Sequence, residues 1–226
     1  MIAHSGAKIE WKNIKGVIFD VDGTLYDQRR LRLKMLCTLV RHLFSHKNAL
    51  REIMVVRHFR QVREYLADKE VSGVSEHQLK LVAGKLSVDP HDVADIVEKW
   101  IYMKPLAHIL SCRLPMVDSF FEALARRGIK IGIFSDYPIE DKMAMLGLHA
   151  DASCYSLERD IDRLKPQTAG LQKLVEKMGL NGSECLFIGD RDSRDGACAR
   201  RFGMPFLLCR GRGFYKNLMN DPSWAD

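Results

Sequence analysis

The chain has 226 residues, of which 46% are hydrophobic and 28% charged, and its formal net charge at pH 7 is +6. This composition is typical of an ordinary soluble globular protein, long enough for one large domain or two modest ones. No run approaches the roughly 18 apolar residues of a spanning helix, which excludes a membrane-spanning protein. Because Met1–Trp11 also has no signal-peptide pattern, the sequence predicts a cytoplasmic protein. The positive charge indicates anionic partners.

The first element is a short apolar run, Val17–Phe19, which predicts a buried strand. Asp20 and Asp22 follow it directly, and Gly23 marks a sharp turn away from the strand. Open α/β sheets bind their ligands at the carboxyl ends of their strands. Because an uncompensated buried charge is costly, two carboxylates there indicate a cation, a proton or a special chemical role.

Residues 28–104 show helical periodicity and no convincing strand. The apolar positions of the first predicted helix are Leu31, Met35, Leu36, Leu39, Val40 and Leu43. Those of the second are Leu50, Ile53, Met54, Phe59, Val62 and Leu66. Two more helices are predicted over 79–86 and 93–101, the latter with Asp89 as N-cap and Pro90 in its first turn. Met35, Phe44 and Phe59 are expected to face the core.

The remainder of the chain, from residue 105 onward, alternates between helix and strand. Helices are predicted over 116–126, 140–146, 166–178 and 194–202. Strands are predicted over 129–134, 152–155, 185–188 and 206–209. This alternation is typical of an α/β fold with a parallel, doubly wound sheet, and a helical block lies between its first strand and the others.

Three further groups of polar residues follow predicted strands or begin predicted helices. Ser135 and Asp136 follow the second strand, and Lys165 stands before Pro166 at the start of a helix. An acidic loop after the fourth strand contains Asp190, Asp192 and Asp195.

These residues are suited to moving a phosphoryl group, which needs positive charge on its oxygens, an in-line nucleophile and a proton donor for the leaving oxygen. A carboxylate set without nearby His or Cys favours Mg²⁺ over Zn²⁺. Lys165 supplies a fixed positive charge, and Ser135 with backbone N–H groups supplies hydrogen-bond donors. An aspartate nucleophile would form an aspartyl-phosphate and so divide one difficult step into two.

Taken in order, the four motifs, beginning with D-x-D-G-T at 20–24, resemble those of the haloacid dehalogenase-like superfamily over essentially the whole chain. The helical insertion resembles the C1-type cap of phosphoglycolate phosphatase-like members. The resemblance implies a Rossmann-like, doubly wound parallel sheet as the catalytic core, formed by residues 1–27 and 105–226. It implies an inserted α-helical cap over residues 28–104.

The resemblance also implies catalytic roles. Asp20 would be the nucleophile, and Asp22 would protonate the leaving group and then activate water as a base. Ser135 and Lys165 would act in catalysis by holding the phosphoryl oxygens, and Thr24 would support the turn. The residues expected at the substrate phosphate are Thr24, Ser135, Asp136 and Lys165.

A Mg²⁺ site is implied in the same way. Asp190 would bind the ion together with Asp20 and the backbone carbonyl of Asp22, and Asp195 would lie at or just behind these ligands. Which of Asp190, Asp192 and Asp195 contacts the metal directly is left open, because all three lie in one loop.

Dehalogenase and phosphonatase members of the superfamily lack the second aspartate, so the presence of Asp22 indicates that the substrate is a phosphate ester. The expected function is a Mg²⁺-dependent phosphatase of a small phosphorylated metabolite. The alternatives are a phosphomutase acting on a phosphosugar and a non-catalytic binding protein that uses the basic segment 28–63 on a vestigial core. The resemblance implies that the cap loop Ser45–Asn48 meets the substrate. No nucleic-acid motif is visible, so nucleic acid is not expected as a partner. A membrane is not expected as a partner either, and the oligomeric state is left open.

Overall fold

A five-stranded parallel sheet forms the centre of the computed structural model. The structure describes residues 9–225, so residues 1–8 and 226 of the predicted core lie outside the described range. The strands are β1 (Gly16–Phe19), β2 (Lys130–Ser135), β3 (Ala152–Tyr155), β4 (Cys185–Gly189) and β5 (Phe206–Leu208). Their order is β3-β2-β1-β4-β5. Phe19 pairs in register with Ile133 of β2 and Ile188 of β4, so the carboxyl ends of the three central strands lie at the same edge of the sheet. The predicted α/β, doubly wound parallel sheet is confirmed.

Helices cover both faces of this sheet, because successive residues of a strand point to opposite sides. Val17 and Phe19 pack in one cluster with Phe120, whereas Ile18 packs in another with Leu174. Helix α6 (Val117–Arg126) precedes β2. The helices that follow β2 are α7 (Glu140–Leu146), α8 (Ala169–Met178), α9 (Ala197–Phe202), α10 (Phe214–Met219) and α11 (Pro222–Ala225). The site described below therefore stands on a layer that is buried on both sides.

The segment between β1 and α6 is helical. Its helices are α1 (Gln28–Ser45), α2 (Ala49–Lys69), α3 (Val74–Leu86), α4 (Pro90–Val97) and α5 (Lys104–Ile109), and a π-helical stretch, Glu98–Met103, joins the last two. Asp89 caps α4 as expected, its carboxylate accepting from the His91 N–H at 2.7 Å. We keep the name cap for residues 28–104, although the division of the chain into core and cap stays a prediction. Within residues 9–225, no helix is both long and apolar enough to cross a bilayer.

Two local expectations are wrong. The helix expected from Pro166 begins at Ala169. Residues 164–167 form a turn in which the Gln167 N–H donates to the Leu164 carbonyl at 3.0 Å, so Lys165 lies in a loop and not at the mouth of a helix. Phe44, expected in the core, is 89% exposed. The physical reason is that α1 buries one side only, which carries Leu31 and Met35, and Phe44 lies on the opposite side of the helix.

Close packing between α8 and the sheet yields a stability prediction. A Cβ atom added at Gly170 would lie 2.1 Å from Cε2 of the fully buried Phe134, so Gly170→Ala should destabilise the fold by about 1–3 kcal/mol. In α3, a Cβ at Gly84 would have no neighbour within 4 Å, and Gly84→Ala should gain up to about 1 kcal/mol from helix propensity. Urea unfolding of both variants measures this, and equal effects would contradict the packing argument.

Candidate active site at the carboxyl edge of the sheet

Residues from four separate segments meet where the central strands end. Asp20 follows β1, and its N–H still donates to the Ile188 carbonyl of β4 at 2.9 Å, which holds it at the sheet edge. Asp190 follows β4, Asp195 lies in a π-helical turn just beyond it, and Lys165 enters from the loop before α8. The parallel register thus brings four of the sequence-predicted site residues together.

Lys165 is the buried cation of this group. Its Nζ lies 2.6 Å from Oδ1 of Asp20 and 2.6 Å from Oδ1 of Asp195. Burial alone would lower the pKa of Lys165, but the two carboxylates outweigh it and hold that pKa well above its usual value. Lys165 is therefore a permanent positive charge between two acidic side chains.

Even so, the carboxylates outnumber the cation. Burial raises the pKa of Asp20 well above its ordinary value, against the attraction of Lys165 and with added repulsion from Asp195 and Asp190. Burial and Asp195 likewise raise the pKa of Asp190 to about 6. Each raised pKa means that too little positive charge lies near the carboxyl group to stabilise its ionised form.

A divalent cation would supply that charge, and the residues present fit one. Oxygen atoms of Asp20, Asp190 and Asp195 lie within 4.8 Å of one another. The Oδ1 atom of Asp190 is buried and has no hydrogen-bond partner among the described residues, as expected of a ligand atom. A set made only of carboxylate oxygens suits a hard cation such as Mg²⁺.

Gly23 allows this close assembly. Its φ is +98°, and an added Cβ would lie 2.2 Å from Oδ2 of Asp190. The glycine that follows the two aspartates therefore turns the chain and also leaves the space into which Asp190 fits.

The Asp22 carboxylate lies apart from the other three. Both of its oxygens accept from Lys142 Nζ at 2.7 Å, and the Tyr26 hydroxyl donates to it as well. Burial would raise the pKa of Asp22, but Lys142 and Tyr26 outweigh burial and the pKa is lowered. The predicted metal contact through the Asp22 backbone carbonyl stays a prediction. Sequence reasoning missed Lys142, since no motif contains it, and its place in the helix after the Ser135 motif was the only available signal.

Asp136 turns away from the carboxylate group. Its Oδ1 accepts from the Ser156 hydroxyl at 2.6 Å and from the Lys165 N–H at 3.0 Å, so its side chain fixes the loop that carries Lys165. Asp192 is also removed from the group, because it pairs with Arg200 on the surface at 2.9 Å. Of the three acidic residues in that loop, Asp190 and Asp195 are the two that join Asp20.

Thr24 and Ser135 lie beneath the site. Both are fully buried and neither lines the cavity above it. The Thr24 hydroxyl donates to Oδ2 of Asp20 at 3.2 Å, and Oγ of Ser135 accepts from the Tyr137 N–H at 3.1 Å. The structure therefore shows how they support the site, while their predicted contact with a phosphate stays a prediction.

A cavity of about 610 Å³ lies between this site and the cap. Its floor contains Asp20, Asp22, Lys142, Lys165 and Asp190. The apolar side chains that the cap contributes to its walls are Leu31, Met35, Leu36, Leu39, Val56, Trp100 and Ile101. The loop Ser45–Asn48 is not among the lining residues, and the cap contributes the flanks of α1 and α2 instead. This volume suits a small organic phosphate.

Cap helix α2 is tied to the acidic loop by ion pairs. Glu64 accepts two hydrogen bonds from Arg191, both at 2.8 Å, and lies 3.0 Å from Arg194, which also pairs with Asp68 at 2.8 Å. These arginines hold the pKa of Glu64 below its usual value, Arg191 most strongly. The loop that carries Asp190 and Asp195 is therefore held by the cap as well as by the sheet.

The buried position of Lys165 yields a second prediction. Lys165→Met should cost about 3–5 kcal/mol in the free energy of unfolding, because it leaves two buried carboxylates without their cation. Adding Asp195→Asn to that variant should restore part of the loss. In the control Lys80→Met, which removes an exposed partner of Glu76, the change should stay below about 1 kcal/mol. Urea unfolding without divalent cations measures all three, and a Lys165→Met loss as small as the control's would contradict the assignment.

Comparison with known proteins accords with this geometry. The family model for haloacid dehalogenase-like hydrolases matches residues 14–203. A phosphoglycolate phosphatase from Yersinia pestis is 27% identical over 205 residues, which cover 88% of this chain and 82% of the relative. A glyceraldehyde 3-phosphate phosphatase from Methanopyrus kandleri is 24% identical over 215 residues, covering 91% and 87%.

Among solved structures, a HAD phosphatase from Thermococcus onnurineus superposes with a TM-score of 0.60 at 20% identity, over 92% of this chain and 97% of that one. At this identity the likeness concerns the fold. The family match spans most of the chain and includes all four motifs. The resemblance expected from the motifs is thereby confirmed, and the chain belongs to the haloacid dehalogenase-like hydrolases.

Proposed function

We propose that this hydrolase is a Mg²⁺-dependent phosphatase of a small phosphorylated metabolite, acting through an aspartyl-phosphate on Asp20. The observation that carries the proposal is the placement of Asp20 at the end of β1, hydrogen-bonded to Lys165 and grouped with Asp190 and Asp195. The names of the two phosphatase relatives support the same chemistry. A cytoplasmic location belongs to this proposal and stays a prediction.

Asp20, Asp190 and Asp195 would hold the magnesium ion. When bound, the ion supplies the positive charge that lets a phosphate dianion approach a group of carboxylates. Lys165 adds a fixed charge at the same place, and Asp136 keeps the backbone of Lys165 in position.

The protein's own residues then divide the reaction into two steps. In the first, a carboxylate oxygen of Asp20 forms a bond to phosphorus while the bond to the leaving oxygen breaks, and Asp22 gives that oxygen a proton. In the second, water attacks phosphorus, Asp22 takes its proton, and the bond to Asp20 breaks with release of inorganic phosphate.

The contacts of Asp22 suit the second step directly. Lys142 and Tyr26 stabilise its ionised form, which is the form that accepts a proton from water. The first step requires the protonated form. We infer that Lys142 turns from Asp22 to the anionic substrate on binding, which removes the charge that keeps the pKa of Asp22 low.

Replacement of the nucleophile tests the proposal. Asp20→Asn should lower turnover at least about a thousandfold, because the amide cannot attack phosphorus. Its matched control is Asp192→Asn, an aspartate outside the carboxylate group, which should keep turnover near that of the unchanged protein. Phosphate release from a panel of phosphorylated metabolites and from p-nitrophenyl phosphate measures both, with circular dichroism to check folding.

Near-normal turnover by a folded Asp20→Asn variant would remove Asp20 as the nucleophile. Isomerisation of a phosphosugar without free phosphate would favour the phosphomutase instead. Absence of turnover by the unchanged protein, with Mg²⁺ across the whole panel, would favour the binding protein on a vestigial core.

Metal dependence is a separate prediction. A chelator should abolish turnover, and added Mg²⁺ should restore it, since the carboxylates repel phosphate when no cation is present. Asp190→Asn removes one proposed ligand and should raise the Mg²⁺ concentration needed for half-maximal turnover by about tenfold or more. Titration of both proteins with Mg²⁺ measures this, and full turnover in excess chelator would contradict it.

A further inference from the structure

We propose that the outer side of α1 docks this protein on the surface of an anionic phospholipid bilayer. The docking face consists of Leu33, Leu36, Val40, Leu43 and Phe44 of α1, with Leu50 and Met54 of α2 beyond the connecting turn. This inference goes beyond the proposed phosphatase activity, and its test requires no turnover.

The docking face is a cluster of exposed apolar side chains. Leu33 is 63% exposed, Leu36 is 55% exposed and Phe44 is 89% exposed. Among the described residues thirteen large hydrophobic side chains are exposed, and seven of them fall within positions 33–54. Scattered exposed hydrophobic residues need no explanation, but such a concentration marks a contact surface.

Helix geometry gathers the α1 residues into one stripe. At roughly 100° per residue, the five α1 members of the docking face fall within an arc of about 100°. Leu31, Met35 and His42, which are buried against the rest of the protein, lie on the opposite side. The helix is therefore apolar on two sides, and only one of them is covered by the described residues.

Positive charges border the stripe. On the same projection Arg32 and Arg41 lie on its two flanks, and Lys47 follows in the turn at its end. Segment 28–63 contains ten Arg and Lys residues and a single acidic one, Glu52. Glu52 is already engaged, since it accepts from Lys99 at 2.8 Å and contacts His42 at 3.0 Å. Arg41 and Lys47 form no ion pair with any residue in the range 9–225.

Charge decides which partner this face fits. A second copy of the chain packed on the stripe would bring two sets of these cations together, which like-charge repulsion opposes. A nucleic acid would satisfy the cations but would leave Leu33 and Phe44 without an apolar partner. An anionic bilayer satisfies both, because apolar side chains enter the interface while Arg and Lys reach the lipid phosphates.

The docking face also adjoins the cavity. Arg32 and Leu36 line the cavity, and Leu36 belongs to the stripe as well. A phosphorylated compound at a bilayer surface would therefore meet the cavity wall next to the point of contact. Because no helix within residues 9–225 can span a bilayer, the proposed contact is with the bilayer surface alone.

Vesicle flotation tests the proposal. The unchanged protein should float with phosphatidylcholine vesicles that contain about 30% phosphatidylserine, and much less with phosphatidylcholine alone. The double variant Leu33→Gln/Phe44→Gln should bind the anionic vesicles about tenfold or more weakly, because it removes two apolar anchors. Arg41→Gln should weaken binding about fivefold and reduce its dependence on salt.

Leu81→Gln is the matched control, because Leu81 is an exposed apolar residue of α3 outside the docking face. It should bind the vesicles as the unchanged protein does. All of the substituted residues are exposed, so the circular dichroism spectrum of every variant should match that of the unchanged protein. This readout separates loss of docking from loss of folding.

Three results would overturn the proposal. The first is failure of the unchanged protein to bind anionic vesicles, or equal binding by Leu33→Gln/Phe44→Gln. The second is a dimer, seen by analytical ultracentrifugation without lipid, that the same double variant dissociates, which would assign the face to a second copy. The third is salt-dependent RNA binding that Arg41→Gln weakens, without vesicle binding, which would assign it to nucleic acid.

Discussion

The excess of carboxylates over cations at the carboxyl edge of the sheet is the constraint on which the site depends. The register of β1 with β4 pairs Phe19 with Ile188, so Asp20 and Asp190, which follow these two strands, lie close together. Lys165 balances part of this charge through two short contacts, and Asp136 is used to position the loop that carries it. The remaining imbalance leaves negative charge at this edge that a bound cation would offset.

The two aspartates of the first motif have pKa values shifted in opposite directions because their surroundings differ. Asp20 is buried among other carboxylates, and its pKa is raised, whereas Lys142 and Tyr26 lower the pKa of Asp22. Opposite pKa shifts in two neighbouring carboxyl groups are consistent with the different roles proposed for them. The Asp22 carboxylate contacts Lys142 of α7, while the turn at Gly23 leaves space for Asp190 beside Asp20.

The sequence predicts the sheet and its acidic edge because both follow from local patterns combined with the geometry of parallel strands. It does not predict contacts between side chains that are remote along the chain. Lys142 meets Asp22 across 120 positions, and Arg191 meets Glu64 across 127. No periodicity encodes either pair, because each joins segments that meet only in the folded chain. The direction of the Asp136 side chain was undetermined for the same reason.

Helix α1 shows why periodicity alone misplaces Phe44. Apolar residues at three- and four-residue steps identify the core-facing side of a helix only when the helix has a single apolar side. Helix α1 has two apolar sides, a buried one with Met35 and an exposed one with Phe44. The arginines separate the two sides: the buried residues Leu31, Met35 and His42 include no Arg or Lys, whereas Arg32 and Arg41 border the exposed stripe. A helix whose second apolar face is edged with cations is adapted to a boundary between an apolar layer and an anionic one. Under the two proposals, the cap would enclose the substrate with one side of α1 while the other side would hold the protein at the bilayer surface.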